Sequence, residues 1–333
     1  MQILILKFGA LGDVVRTAYI LPGLMQKYPK ASISWLTSTL SSDLLRFNPY
    51  IENIYIDKVK STKFTKPHFD LVISLDDEVA VLQNLESITF DRLIGAYLNN
   101  GVTYYTEDAA IWFDMGLISN YGKAIADELK KKNTLEHNDI LARMLNITVT
   151  EPLFYNSFII EHAMSGQFDR NHFCIALNSG SGARWASKQL RIEEAITLIR
   201  SLLSMRIQGK PAKVYLLGGM DEIDRHRAII DEIRSPHLHD TGSGNTLLQF
   251  AAIIKNCDYV ITSDSLALHL AIAQGINNTS FYAPTSATEI GTFGTGVKVV
   301  SLSDDYCSYH KDADTSTITA ERILEAFTSH VNS

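Results

Sequence analysis

The sequence predicts an α/β protein built as two parallel-sheet domains, and three observations carry that prediction. Short β-rich runs alternate with helix-length segments of ten to fifteen residues in both halves, the signature of βαβ units. Several runs, ILILK at 3–7 and FDLVISL at 69–75 among them, are apolar at successive positions, as expected of strands buried on both faces of a parallel sheet. At 333 residues and 46% hydrophobic, the chain is long enough for two ordinary cores.

Taken in order, ILILK is followed by a helix from Val14 to Pro29, then SISWLT, a helix around SSDLLRFN, the short strand NIYIDK and FDLVISL. Asp127 to Met144 reads as one charged helix, whose Lys130-Lys131-Lys132 run is a solvated face. Polarity rises between Thr150 and Asn171, a linker. The pattern then restarts with HFCIAL, a Gly/Ser loop, the helix IEEAITLIRSLLSM, VYLLGG, DEIDRHRAIIDEI, a turn at HDTGSGN, TLLQFAAIIKN, YVITSD, SLALHLAIAQG and TSFYAPTS. The expected domains are residues 1–155 and 170–312. A terminal helix at 315–333, capped by Ser316 or Thr317, is expected to pack back on the first domain.

Net charge of −7 and a pI near 5.8 argue against nucleic acid as a partner. Three scattered cysteines, Cys174, Cys257 and Cys307, suit core thiols in a reducing compartment and form neither a disulfide framework nor a zinc site. No export signal or run of about 18 apolar residues is evident, so the expected location is cytoplasmic.

Candidate chemistry sits after strands, where open α/β sheets bind ligands. In KFGALGDVVRT, Asp13 follows Gly9 and Gly12 at a strand-to-helix turn. It reads either as an N-cap or as a base. Arg16, one turn on, either orients a sugar or an acceptor carboxylate or is an exposed surface cation. NSGSGARWASK at 178–188 offers backbone N–H groups to an anion, with Lys188 or Arg184 to offset its charge. Asp264 is a natural N-cap for an apolar helix on which Ser265 and His269, four apart, share a face. In YAPTSATE, Ser286 and Glu289 are spaced as a capping box, and Thr285, Ser286 and the free N–H groups of that helix suit a phosphate. Asp76-Asp77-Glu78 reads as the polar edge of a loop, with no Asp-x-Asp pair to suggest a metal.

These motifs, in this order, resemble glycosyltransferase family nine, the ADP-heptose:lipopolysaccharide heptosyltransferases and their relatives. The resemblance spans nearly the whole chain. It rests on KFGALGD ending at Asp13, NSGSGARW-x-x-K ending at Lys188, LGG-x-D/E at 217–222, SDS-x-x-x-H-x-A at Asp264 to His269, and APTS ending at Ser286. It implies a GT-B fold of two Rossmann-like domains facing across a cleft, and inverting transfer from an ADP-sugar without metal or other cofactor. Asp13 would be the general base, with Gly12 and Arg16 on the acceptor side. Lys188, Asp264, Ser265 and His269 would hold the diphosphate region, Thr285 and Ser286 would face phosphate, and Gly219, Met220 and Glu222 would lie near the nucleoside. The acceptor would be a glycan, glycolipid or other hydroxyl compound, with at most peripheral membrane association. The chain departs from the family at Leu266 and Ala283, where glycine is common. Its first 150 residues hold 15 Lys+Arg against 17 Asp+Glu, which puts an anionic lipid acceptor in question. Two other classes share such features: a nucleotide-sugar 2-epimerase and a non-catalytic sugar-nucleotide binder. An NAD-dependent dehydrogenase is set aside because the first loop lacks G-x-G-x-x-G.

Overall fold

A computed structural model describes residues 1–56, 67–182 and 185–332. The chain forms two compact units, Met1–Tyr155 and Asn156–Ser333.

In the first unit, strands β1 (Gln2–Leu6), β2 (Ser32–Thr37), β3 (Asn53–Ile56), β4 (His68–Ser74), β5 (Thr89–Asn99) and β6 (Val102–Tyr105) form one sheet in the order β3-β2-β1-β4-β5-β6. Every pairing is parallel except β5 with β6, a hairpin at the edge that the sequence pattern did not announce. Ile3 to Leu6 are all buried, which is why their run shows no alternation.

The second unit repeats the arrangement. Its strands are β7 (Phe173–Asn178), β8 (Arg206–Ile207), β9 (Lys210–Leu216), β10 (Leu238–Asp240), β11 (Tyr259–Ser263), β12 (Asn278–Tyr282) and β13 (Gly296–Val300). The parallel path runs β10-β9-β7-β11-β12-β13, with β8 antiparallel on β9. Both sheets therefore reverse winding between two central strands, β1 and β4 in one, β7 and β11 in the other. Such a switch point opens a crevice at the strand C-termini.

Several boundaries differ from expectation. The charged segment forms two helices, Lys123–Lys132 and His137–Leu145. The extended Asn133 and the turn it makes with Leu135 break the run. The expected linker contains a helix, Phe158–Ser165, packed on the helix Leu247–Lys255. The terminal helix, Ala320–Val331, is capped by Thr319, whose hydroxyl accepts the Arg322 N–H, rather than by Ser316 or Thr317. Ile323 and Phe327 are fully buried in the second unit's own core, and the helix packs on Ile192–Leu203 and on β12 and β13. An amphipathic helix takes the nearest uncovered apolar face, and here its own sheet supplies one.

Candidate active site

In the first unit the loop after β1 is tied down from three sides. The Lys7 carbonyl accepts from Trp35 Nε1 at 3.1 Å and Thr37 Oγ1 at 2.7 Å, and the Phe8 carbonyl accepts from Ser41 Oγ at 2.6 Å. Beneath the loop, Lys7 Nζ donates to Asp76 Oδ1 at 2.7 Å, and the Phe8 N–H donates to Asp76 Oδ2 at 2.5 Å. Asp76 is thus a buried ion-pair partner, not the polar edge of a loop.

Asp13 is not the N-cap. The helix runs Leu11–Thr17 with Ala10 at the cap, and Asp13 reaches back from the third position to accept the Ala10 N–H at 3.2 Å. Its other oxygen pairs with Arg16 at 2.8 Å, and about a third of the carboxylate side chain stays accessible, 32%. Arg16 is only 14% exposed, so the reading as a surface cation is corrected: the guanidinium lies against the carboxylate. Gly12 is buried at the second helical position. Lys7, Asp13, Arg16, Thr17, Trp112 and His137 line a cavity of about 20 Å³, the size of one water and too small for a sugar. The Thr17 hydroxyl is buried there without a hydrogen-bond partner among the described residues.

In the second unit the sequence-predicted donor residues converge after β7 and β11. Lys188 Nζ donates to Asp264 Oδ2 at 2.8 Å and to the Asp264 carbonyl at 3.0 Å, and lies over the Trp185 ring. His269 Nε2 is 3.4 Å from Asp264 Oδ1. Burial by itself pushes the Asp264 carboxyl up. The Lys188 charge and the His269 hydrogen bond outweigh it and hold the carboxyl well below the usual range.

Ser265, not Asp264, is the N-cap of the helix Leu266–Ala273. Its hydroxyl accepts from Asn178 Nδ2 at 3.0 Å and lies 2.9 Å from Thr262 Oγ1. Asn178, the last residue of β7, was read only as the start of the Gly/Ser loop and given no role of its own, though its place at a strand end was the available signal.

Glu222 joins two loops. One oxygen accepts the Gly182 N–H and the other the Gly219 N–H, both at 2.8 Å. Gly182 has φ of +68°, and a Cβ on Gly180 would strike the Glu222 side chain at 2.4 Å, so these glycines are set by backbone conformation and close approach. Met220 is 69% exposed beside this junction. Arg184 lies outside the described residues.

The expected helix at Ser286 is absent: residues 283–289 form bends and a turn. Its N–H groups are also engaged. Ser286 N–H donates to Tyr309 Oη at 3.4 Å and Ala287 N–H to Tyr306 Oη at 2.8 Å. Burial pushes both tyrosine hydroxyls up, so they remain protonated. Those tyrosines lie on a strap whose His310 and Lys311 carbonyls accept from Ser187. Thr285 Oγ1 is buried without a hydrogen-bond partner among the described residues. The capping-box spacing misled because Ser-x-x-Glu is a local signal and the tyrosines come from twenty residues away.

The glycosyltransferase family 9 (heptosyltransferase) profile matches residues 200–319. That stretch lies within the second unit. The profile agrees, over those residues, with the resemblance read from the motifs at 217–222, 264–269 and 283–286. No curated protein matches the chain. Among solved structures, a family 9 glycosyltransferase from Veillonella parvula is similar over 99% of this chain and 97% of its own, at 17% identity and TM-score 0.76. The Escherichia coli ADP-heptose lipopolysaccharide heptosyltransferase II is similar over 100% and 99%, at 15% and 0.69. The E. coli heptosyltransferase WaaC, solved with ADP, is similar over 99% and 100%, at 14% and 0.66. The fold is thus the GT-B fold of the family 9 enzymes, two Rossmann-like units. No described helix is long and apolar enough to cross a membrane.

Proposed function

We propose that the protein is an inverting, metal-independent glycosyltransferase that moves a sugar, heptose first among the candidates, from an ADP-sugar to a hydroxyl of a glycan, glycolipid or other acceptor. The observation that carries this reading is the buried Lys188–Asp264–His269 cluster, a fixed cation at the strand edge where such sheets bind ligands.

Asp13 takes the proton of the acceptor hydroxyl as that oxygen attacks the anomeric carbon. The bond from that carbon to the diphosphate oxygen breaks, and the pair of electrons leaves with the nucleotide. Lys188 and the N–H groups at the start of the helix Leu266–Ala273 meet the charge as it develops, the work a metal ion would otherwise do. Thr285 presents to a phosphate a hydroxyl that has no partner among the described residues. Gly219, Met220 and Glu222 border the nucleoside, where the Glu222 oxygens keep acceptor capacity beyond the two N–H groups they already receive. With an ADP-sugar as donor the enzyme works in the cytoplasm and meets a membrane through its acceptor at most.

Incubation with ADP-, GDP- and UDP-sugars tests the donor, because a ligand bound by the native state alone raises the unfolding temperature. Protection by ADP-sugars is expected. Protection by UDP-sugars alone overturns the assignment.

A further inference from the structure

The two ends of the buried Lys7–Asp76 pair come from the strands that flank the first sheet's switch point, Lys7 directly after β1 and Asp76 two residues after β4. The pair is closed on its own side, since Lys7 Nζ also donates to the Leu75 carbonyl at 3.3 Å. Its side chains are only 12% and 10% exposed. On the other side Lys7 lines the water-sized cavity with Asp13.

We propose that Lys7 and Asp76 are positioning residues for Asp13: the pair fixes the loop that carries this carboxylate and sets how readily it takes a proton. The proposal rests on the reading of Asp13 as the base.

Two independent features of the geometry support it. The Asp76 carboxylate holds both the Lys7 ammonium and the Phe8 N–H, so one side chain anchors the start of the loop whose far end is Asp13. The charges are also balanced. The ionisable groups that line the cavity with Asp13 are Lys7 from the end of β1, Arg16 from its own helix and His137 from the helix His137–Leu145, with Asp76 held against Lys7. The helix Thr39–Leu45 packs on the Asp13 helix, and its Asp43 is not among the cavity-lining residues. Tyr19 stays protonated because burial pushes its hydroxyl far up.

Burial raises the Asp76 carboxyl, Lys7 opposes that, and the Asp13 charge raises it further. Coulomb repulsion is mutual, so Asp76 in turn favours a proton on Asp13 while Lys7 disfavours one. Lys7 without Asp76 would make Asp13 a weaker base, because a neighbouring cation favours the ionised carboxylate.

The test follows the Asp13 carboxyl directly by carbon-13 NMR titration, its signal assigned by loss in Asp13→Asn. Asp76→Asn is expected to move the Asp13 midpoint down by about one unit, as an uncompensated neighbouring cation does. Lys7→Met is expected to move it up, and the double variant to return it close to wild type. A role confined to holding the loop would not produce opposite shifts that cancel. Thermal melts identify the variants that fold, and if Asp76→Asn does not, the upward shift in Lys7→Met decides the sign alone. An Asp13 midpoint unmoved in the folded single variants overturns the proposal. If the shifts appear but Asp13→Asn transfers sugar at the wild-type rate, the base reading fails and the proposal with it. If Asp13→Asn abolishes transfer while the midpoint stays fixed, the base reading survives and the tuning role is lost.

Discussion

Each unit places a lysine and an aspartate across its switch point, with nearly the same geometry and opposite electrostatic results. Lys7 meets Asp76 at 2.7 Å and Lys188 meets Asp264 at 2.8 Å, and each ammonium also reaches a carbonyl on the aspartate's strand extension. Yet the Asp76 carboxyl is raised and the Asp264 carboxyl is held well below its usual range. Burial acts in the same direction on both. The neighbours differ: Asp264 has a second donor in His269, whereas Asp76 has a second anion in Asp13. A repeated fold supplies the position of an ion pair, and the balance between its burial and the groups beside it sets what the pair does.

The sharpest way to break this comparison is Asp13→Asn. It removes the proposed base and leaves the second unit untouched, so kcat is expected to fall about a thousandfold while the donor dissociation constant, read by calorimetry with ADP, stays the same. A matching loss of donor affinity would show that the units do not divide the work. Next in size is Lys188→Ala. It strands the buried Asp264 carboxylate and is expected to cost about 3 kcal/mol in a denaturant titration, together with loss of ADP binding. A folded, equally stable variant that still binds ADP would remove Lys188 from the donor site.

Tyr306→Phe is expected to be milder, about 1 kcal/mol, because the buried Ala287 N–H loses its acceptor. A larger loss, with weakened ADP protection, would make the strap part of the donor site. The smallest effect is the acid dependence of stability, and it differs in sign between the two pairs. Asp264, depressed in the folded state, contributes stability that is present above the unfolded carboxylate range and lost as pH falls through its folded value. Asp76, raised, costs stability when ionised, and that cost disappears on acidification. Urea midpoints between neutral pH and pH 3 should therefore fall less in Asp264→Asn than in wild type. In Asp76→Asn they should not fall less. Equal slopes in both would refute the contrast.

Much of the fold was legible because burial writes itself into composition. The unalternated run at β1 and the wholly apolar helix Leu266–Ala273 could lie nowhere but inside. The β5–β6 hairpin at the sheet edge was not legible, since half-exposed strands mix polar and apolar residues without a distinctive period. Of the residues singled out by type and by their place after strands, Lys188, Asp264 and His269 meet in one cluster. Local spacing failed at three caps. Asp13 sits three residues past its cap and Asp264 one before its cap, both turned to an ion pair, and Ser286 starts no helix.

The sequence by itself determined two parallel α/β units, their strand-end loops and the side chains available there, because periodicity and apolar content are properties of the chain. Tertiary structure alone decided which charges meet. Asp76 lies 69 residues from Lys7, Asp264 76 from Lys188, and Tyr309 23 from Ser286. No local signal encodes such separations. They are set when neighbouring strands come into register, and the energy of a buried charge depends on what that register brings beside it.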